Sequence, residues 1–148
     1  MKRFLPIVFT IFLALNNLSL FGENPNNWTT YFENNEVKIE YLYQNCDYTE
    51  QFDSEYVIIK ATNLTDKSIT IEWKEELWYD EKCINCNQDS PEYITTLTLP
   101  ANSTLQGECN KWSKLKLFSK FTEKLEDMPG IDKISALTKF ELKNIKTK

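Results

Sequence analysis

The chain has 148 residues, with 17 basic against 22 acidic side chains, four cysteines, three glycines and no histidine. Without imidazole there is no Ser-His-Asp or Cys-His relay and no histidine-ligated metal. A net charge of −5 has the wrong sign for a nucleic-acid partner, and three glycines are too few for a phosphate-cradling loop.

The first 22 residues read as a secretion signal. Lys2 and Arg3 supply a basic start, and Phe4 to Leu15 form an apolar run broken only by Pro6 and Thr10. A spanning helix needs about 20 mostly apolar residues, a length this stretch reaches only by burying Asn16 and Asn17, so cleavage is expected over anchoring. No cysteine follows the run to carry a lipid, and no second run of spanning length occurs, so no stable membrane span is expected once the leader is removed. Residues 23–148 are expected to form one domain, and losing Lys2 and Arg3 takes its charge from −5 to −7. Residues 23–110 hold 5 lysines against 17 acidic groups while 111–148 hold 10 against 5, so the late strands are expected to lie among the earlier ones and neutralise them.

After an Asn-rich lead-in, residues 36–43 place Val37, Ile39, Tyr41 and Tyr43 on one face and Lys38 and Glu40 on the other, the period of a strand. Residues 56–62 form a more continuous apolar strand, as burial on both faces requires, and a polar turn follows at 63–67. Residues 68–74 alternate cleanly, with Ile69, Ile71 and Trp73 on one face, and the run continues towards Tyr79. These two strands carry the strongest hairpin signal in the chain. A polar loop at 80–91 holds Cys83 and Cys86, a strand at 93–99 follows, and residues 100–104 turn the chain towards Cys109. Residues 112–128 fit a helix or a strand, and a strand to Phe121 is favoured. Residues 122–134 are then a loop with one helical turn before a last strand at 136–145. Six to seven strands with no long amphipathic helix predict an all-β, antiparallel immunoglobulin-like sandwich behind the signal peptide.

The run from Val57 to Trp73 (VIIKATNLTDKSITIEW) and the later LTLPANST from Leu97 to Thr104 resemble the second-to-third-strand hairpin and edge strand of bacterial immunoglobulin-like sandwich domains. With the closing LTKFELK from Leu137 to Lys143, the chain is similar to small uncharacterised secreted immunoglobulin-like proteins of Bacteroidota-type bacteria. The resemblance implies a fold and an extracellular or periplasmic place, and carries no catalytic residue. The chain departs from antibody domains in that Cys46 and Cys109 do not bracket Trp73 at the usual spacing.

Four cysteines in an exported chain allow three disulfide connectivities. The favoured one joins Cys83 to Cys86 and Cys46 to Cys109, the second bridge closing a loop of about 60 residues for roughly 3–4 kcal/mol. The rivals are Cys46 paired into the loop, a four-thiolate zinc site, and a redox dithiol. The last needs a thiol pKa lowered by cations or a helix start, whereas Asp80 and Glu81 precede Cys83.

Glu72, Glu75 and Glu76 are the densest carboxylates for hydrolase chemistry, and their simpler reading is solvating charge along a strand. Asp47, Glu50, Asp53 and Glu55 are oxygen donors without the Asp-rich order of a calcium loop. No cofactor is expected. Trp28, Tyr31, Trp78, Tyr79 and Trp112, with Tyr48, are the candidates for an exposed aromatic surface that meets a protein or a carbohydrate. The expected function is a non-catalytic secreted or periplasmic binding or adhesion module. The alternative is a carboxylate-based hydrolase or a Cys-x-x-Cys thiol oxidoreductase, which requires a cleft with two carboxyl groups or a dithiol at a helix start.

Overall fold

A computed structural model describes residues 27–48 and 52–148, so the signal expected at 1–22 and the side chain of Glu50 lie outside the described residues. The strands in chain order are β1 (Thr29–Glu33), β2 (Val37–Cys46), β3 (Ser54–Asn63), β4 (Ile69–Tyr79), β5 (Lys82–Cys83), β6 (Ile94–Leu99), β7 (Thr104–Gln106), β8 (Lys116–Phe121) and β9 (Leu137–Thr147). Among the described residues the only helical pieces are single 3-10 turns at Pro91–Tyr93 and Leu125–Asp127, and no helix is long and apolar enough to cross a membrane.

Two antiparallel sheets result, each organised on one long strand. In the first, β3 pairs with β2 along one edge, and β1 flanks β2. The other edge of β3 is divided, with β7 opposite Lys60 to Thr62 and β8 opposite Ser54 to Ile58. In the second, β4 pairs with β9 on one side, and its other edge is divided between β6 (from Ile69 to Lys74) and β5 (at Trp78 and Tyr79). The core lies between the sheets. Val37, Ile39, Val57, Ile59 and Ala61 come from one sheet, and Ile71, Trp73, Leu97, Leu99 and Leu142 from the other. Both faces of β3 are covered, since Val57, Ile58 and Ile59 are all fully buried, as its unbroken apolar run predicts.

The strongest hairpin expected from sequence is not a hairpin. β3 and β4 belong to different sheets, and residues 63–68 carry the chain across the core. Asn63 makes this corner. Its amide donates to the carbonyls of Lys67 (2.7 Å), Pro100 (2.8 Å) and Leu99 (3.2 Å), and its carbonyl oxygen accepts from the backbone N–H and the hydroxyl of Thr65. The turn is thereby tied to the end of β6 instead of folding β4 back on β3. Alternation specifies which face of a strand is buried, and both strands bury theirs against the same core from opposite sides.

The count of six to seven strands is also corrected, to nine among the described residues. β1 is short, and a register shift between Thr30 and Phe32 breaks its alternation. β5 and β7 are pieces of divided edges. The strand favoured to Phe121, the single helical turn after it and the long last strand all stand as expected. Charge neutralisation between the two parts of the chain is visible in the pairs Lys120–Glu55, Lys133–Asp80 and Lys148–Glu72.

Candidate functional site: a groove beside a stapled loop

β7 and β8 continue one another along β3, and the residues between them leave the sheet and return to it at a single point. Gly107 N–H donates to the Ile59 carbonyl and Ile59 N–H donates to the Leu115 carbonyl, both at 2.9 Å. Residues 107–115 thus form a compact excursion with adjacent ends, an Ω-type loop. Its interior is fixed by Glu108 N–H to Ser113 Oγ (3.0 Å), Trp112 N–H to Asn110 Oδ1 (2.9 Å) and Asn110 Nδ2 to Glu108 Oε2 (2.8 Å). The Cys46–Cys109 disulfide, with a Cα–Cα distance of 5.4 Å, staples it to the end of β2.

The loop and β7 form one wall of a groove whose other wall is β6. One cavity of about 410 Å³ is lined by Leu97, Leu105, Leu115 and Trp112, with Glu108 and Asn110 at its rim. A second of about 490 Å³ adjoins it through the shared residues Ser113 and Lys114, and is lined by Glu75, Glu92, Thr95 and Thr96. The groove therefore passes from an apolar end to a polar end. Leu105 and Ile94 on its walls are 44% and 45% exposed.

Glu75 reaches the polar cavity because β4 keeps its alternation past Trp73. Its Oε1 accepts from Trp73 Nε1 (3.2 Å) and Thr95 Oγ1 (2.7 Å), so its carboxyl lies on the core-facing side with them. Burial pushes this carboxyl above the ordinary glutamate value, and the Thr95 and Trp73 hydrogen bonds only partly offset that. Reading Glu75 as solvating charge was incorrect. The sequence signal for the inward position is the two-residue step Ile69, Ile71, Trp73, Glu75. Glu72 and Glu76 stand apart from it, facing Lys148 and Lys74.

The Cys83–Cys86 disulfide (Cα–Cα 5.9 Å) closes a turn rather than starting a helix. It presents Asn85, which is buried, to the gap between β5 and β6. There Asn85 Oδ1 accepts from Leu77 N–H (2.8 Å) and its amide donates to the Glu75 carbonyl (2.9 Å). The side chain completes the edge of β4 where no strand reaches, and so holds the backbone that carries Glu75. All four thiols are consumed in the connectivity favoured from sequence, which leaves none for a zinc tetrathiolate.

The aromatic candidates are distributed rather than gathered. Trp28 is half-buried with Lys60 Nζ 4.3 Å from its ring, and Trp78 is half-buried with Lys139 Nζ at 4.3 Å. Tyr31 stacks on Phe140, and its hydroxyl accepts from Leu142 N–H (2.7 Å). Tyr79 donates to the Phe118 carbonyl (2.6 Å), and burial pushes its phenol up to about 12. Tyr48 receives the Lys116 ammonium at its hydroxyl (2.7 Å). Trp112 alone of the six is exposed, at 88%. In the acidic loop the Asp53 carboxylate beside Asp47 raises the pKa of Asp47, and Glu55 is engaged by Ser119 and Lys120. Among the described residues no three such ligands converge on a metal position.

Comparisons of the chain with protein families, with curated proteins and with solved structures give no match.

Proposed function

We propose that this chain is a secreted or periplasmic, non-catalytic binding module, and that the groove between β6 and the stapled loop is where it meets its ligand. The observation that carries the reading is Trp112, fully presented on a loop whose backbone is fixed by its own hydrogen bonds and by a disulfide. A large apolar side chain held out in water by a rigid frame lowers the ordering cost of binding. Export is supported by the basic and then apolar leader and by the pairing of all four cysteines.

An immunoglobulin-like arrangement is the finer reading of the fold. The strands β2, β3 and the divided β7–β8 edge correspond to one sheet of such a domain, and β6, β4 and β9 to the other, with the chain crossing between sheets after β3.

A dithiol sitting in a turn lacks the helix start that a thiol oxidoreductase uses to lower its thiol pKa. A carboxylate-based hydrolase remains the second reading, favoured by Glu75 and Glu92 lining one cavity.

The test is site-specific photo-crosslinking in the compartment and medium where the protein occurs, with the photoreactive residue at the groove-wall position 105 or 94, Trp112 being kept, and a control at the exposed Lys146 of β9. Capture from 105 and 94 but not from 146, by protein lacking residues 1–22, is the expected result. Equal capture from all three positions overturns the site, and release of cleaved products from captured material decides for the hydrolase.

A further inference from the structure

We propose that the groove takes a neutral oligosaccharide, with the Trp112 indole as a stacking platform and the cavity beside Glu75 as a polar subsite; this rests on the groove being the ligand site. Of the four tryptophans, Trp73 is buried, and Trp28 and Trp78 each have a lysine ammonium over the ring. Among the described residues Trp112 has no aromatic or cationic contact, so its indole faces are unoccupied. A flat π-face with apolar surface and a partial negative charge suits the C–H face of a sugar ring, just as it suits other weakly positive apolar surfaces.

The polar cavity supplies the other half of the argument. Glu75 and Glu92 offer acceptors, Lys114 offers an ammonium, and Thr96 offers a hydroxyl. Among the described residues neither Glu92 nor Lys114 makes an ion pair or hydrogen bond. Lys116 also lines this space, but its ammonium is committed to Tyr48 and lies 4.5 Å from the Tyr56 ring centre. A cationic ligand would meet Lys114 here and an anionic one would meet two carboxyl groups. A neutral polyhydroxylated ligand gives and accepts hydrogen bonds with groups of both signs and leaves no like charges opposed. The two cavities adjoin at Ser113 and Lys114, and each lies within the range of about 300–1,000 Å³ typical of small-ligand sites, so a chain of sugar rings would run from the indole to the carboxyl.

An extended peptide is the competing occupant. β6 carries no charge and no proline, and only one of its edges is paired with a described strand, so its backbone offers a place for strand addition. The experiment separates the two. Folded, disulfide-bonded protein is applied to immobilised neutral oligomers of glucose, mannose, xylose, galactose and N-acetylglucosamine, and in parallel to immobilised random-sequence decapeptides. Expected is binding to at least one oligosaccharide class, with at least tenfold weaker apparent affinity for Trp112→Ala and at least threefold weaker for Lys114→Ala. Both variants should melt at the wild-type temperature, since both side chains are exposed. If no oligosaccharide is bound in a Trp112-dependent way, the proposal is overturned. If decapeptides then show Trp112-dependent binding, or crosslinking from positions 105 and 94 still captures material, the groove survives as a site for a different ligand. If neither occurs, the groove reading falls as well.

Discussion

Gly107 and Leu115 stand so close that a Cβ built on Gly107 would lie 2.0 Å from the Leu115 carbonyl oxygen. They are this close because both bond to Ile59 from the same edge of β3, Gly107 at its carbonyl and Leu115 at its N–H, and the excursion of eight peptide bonds between them must close on itself. Glycine is required here for space, not for backbone angle. The neighbouring atom is backbone carbonyl, which cannot rotate out of the way as a side chain would. Gly107→Ala is therefore expected to destabilise by about 3 kcal/mol, the upper range for overpacking, and to loosen the loop. Urea denaturation reads the first effect. Faster amide exchange at Ile59 reads the second, and unchanged exchange there would contradict the assignment.

Asn85 substitutes for a missing piece of strand. Removing its side chain leaves Leu77 N–H and the Glu75 carbonyl without their partner, at about 1–3 kcal/mol for each group that water does not reach. Asn85→Ala is expected to lose about 3 kcal/mol, and Cys83→Ser with Cys86→Ser about 2 kcal/mol by chain entropy. Since the disulfide positions Asn85, the triple variant should lose less than the sum. Full additivity in chemical denaturation would mean that bridge and amide act separately.

Glu75 predicts a pH dependence of definite sign. Its folded pKa is raised above the ordinary 4.5, so the contribution of the protonated carboxyl is present below 4.5 and is lost as pH rises through the folded value. Glu40 acts in the other direction. Burial pushes its carboxyl up, but Lys60 and Lys38 outweigh burial and hold it below 4.5, so its contribution is present above 4.5 and is lost as pH falls through the lowered value. The difference in unfolding free energy between wild type and Glu75→Gln isolates the first effect. The variant is expected to gain on the wild type as pH rises from 4.5 through the raised folded value and to hold that gain above it, and a difference independent of pH would place the Glu75 carboxyl in water.

Glu81 adopts a left-handed backbone, with φ of 67°, in the two-residue turn between β4 and β5, next to Asp80 at 47°. Non-glycine residues pay for this conformation by about 1 kcal/mol, and the backbone Glu81 N–H bond to Thr138 Oγ1 does not depend on the Glu81 side chain. Glu81→Gly is expected to raise the melting temperature by a few degrees, corresponding to about 0.5–1 kcal/mol. A lower melting temperature on calorimetry would show that the turn is not strained.

Much of the scaffold was legible because it follows from alternation. Val37 and Ile39, Ile71 and Trp73, and Leu97 and Leu99 are buried as their period requires. Which sheet each strand joins was not legible. That is decided by Asn63, whose amide reaches the distant carbonyls of Leu99 and Pro100, and a local turn signature carries no trace of them. The site was half legible. Trp112 was singled out by its type, yet that Trp28 and Trp78 are covered while it is open depends on where Lys60 and Lys139 fall. Glu75 was within reach of the same parity that placed Trp73, while the cavity it faces exists only because β6 lies opposite the loop at 107–115, a juxtaposition of separate sheets.

Neither disulfide joins the two sheets. Cys46–Cys109 ties parts of the first together, and Cys83–Cys86 closes on itself within the second. The described chain begins in the first sheet, with β1, and finishes in the second, with β9. A pull applied to its two ends is therefore resisted by side-chain packing and by hydrogen bonds that reach across, from the Tyr31 and Tyr79 hydroxyls and the Asn63 amide among others, with no disulfide stop. If the chain is tethered at one end and loaded at the other, its sheets part before either sulfur bridge is strained, and the stapled loop stays attached to its own half.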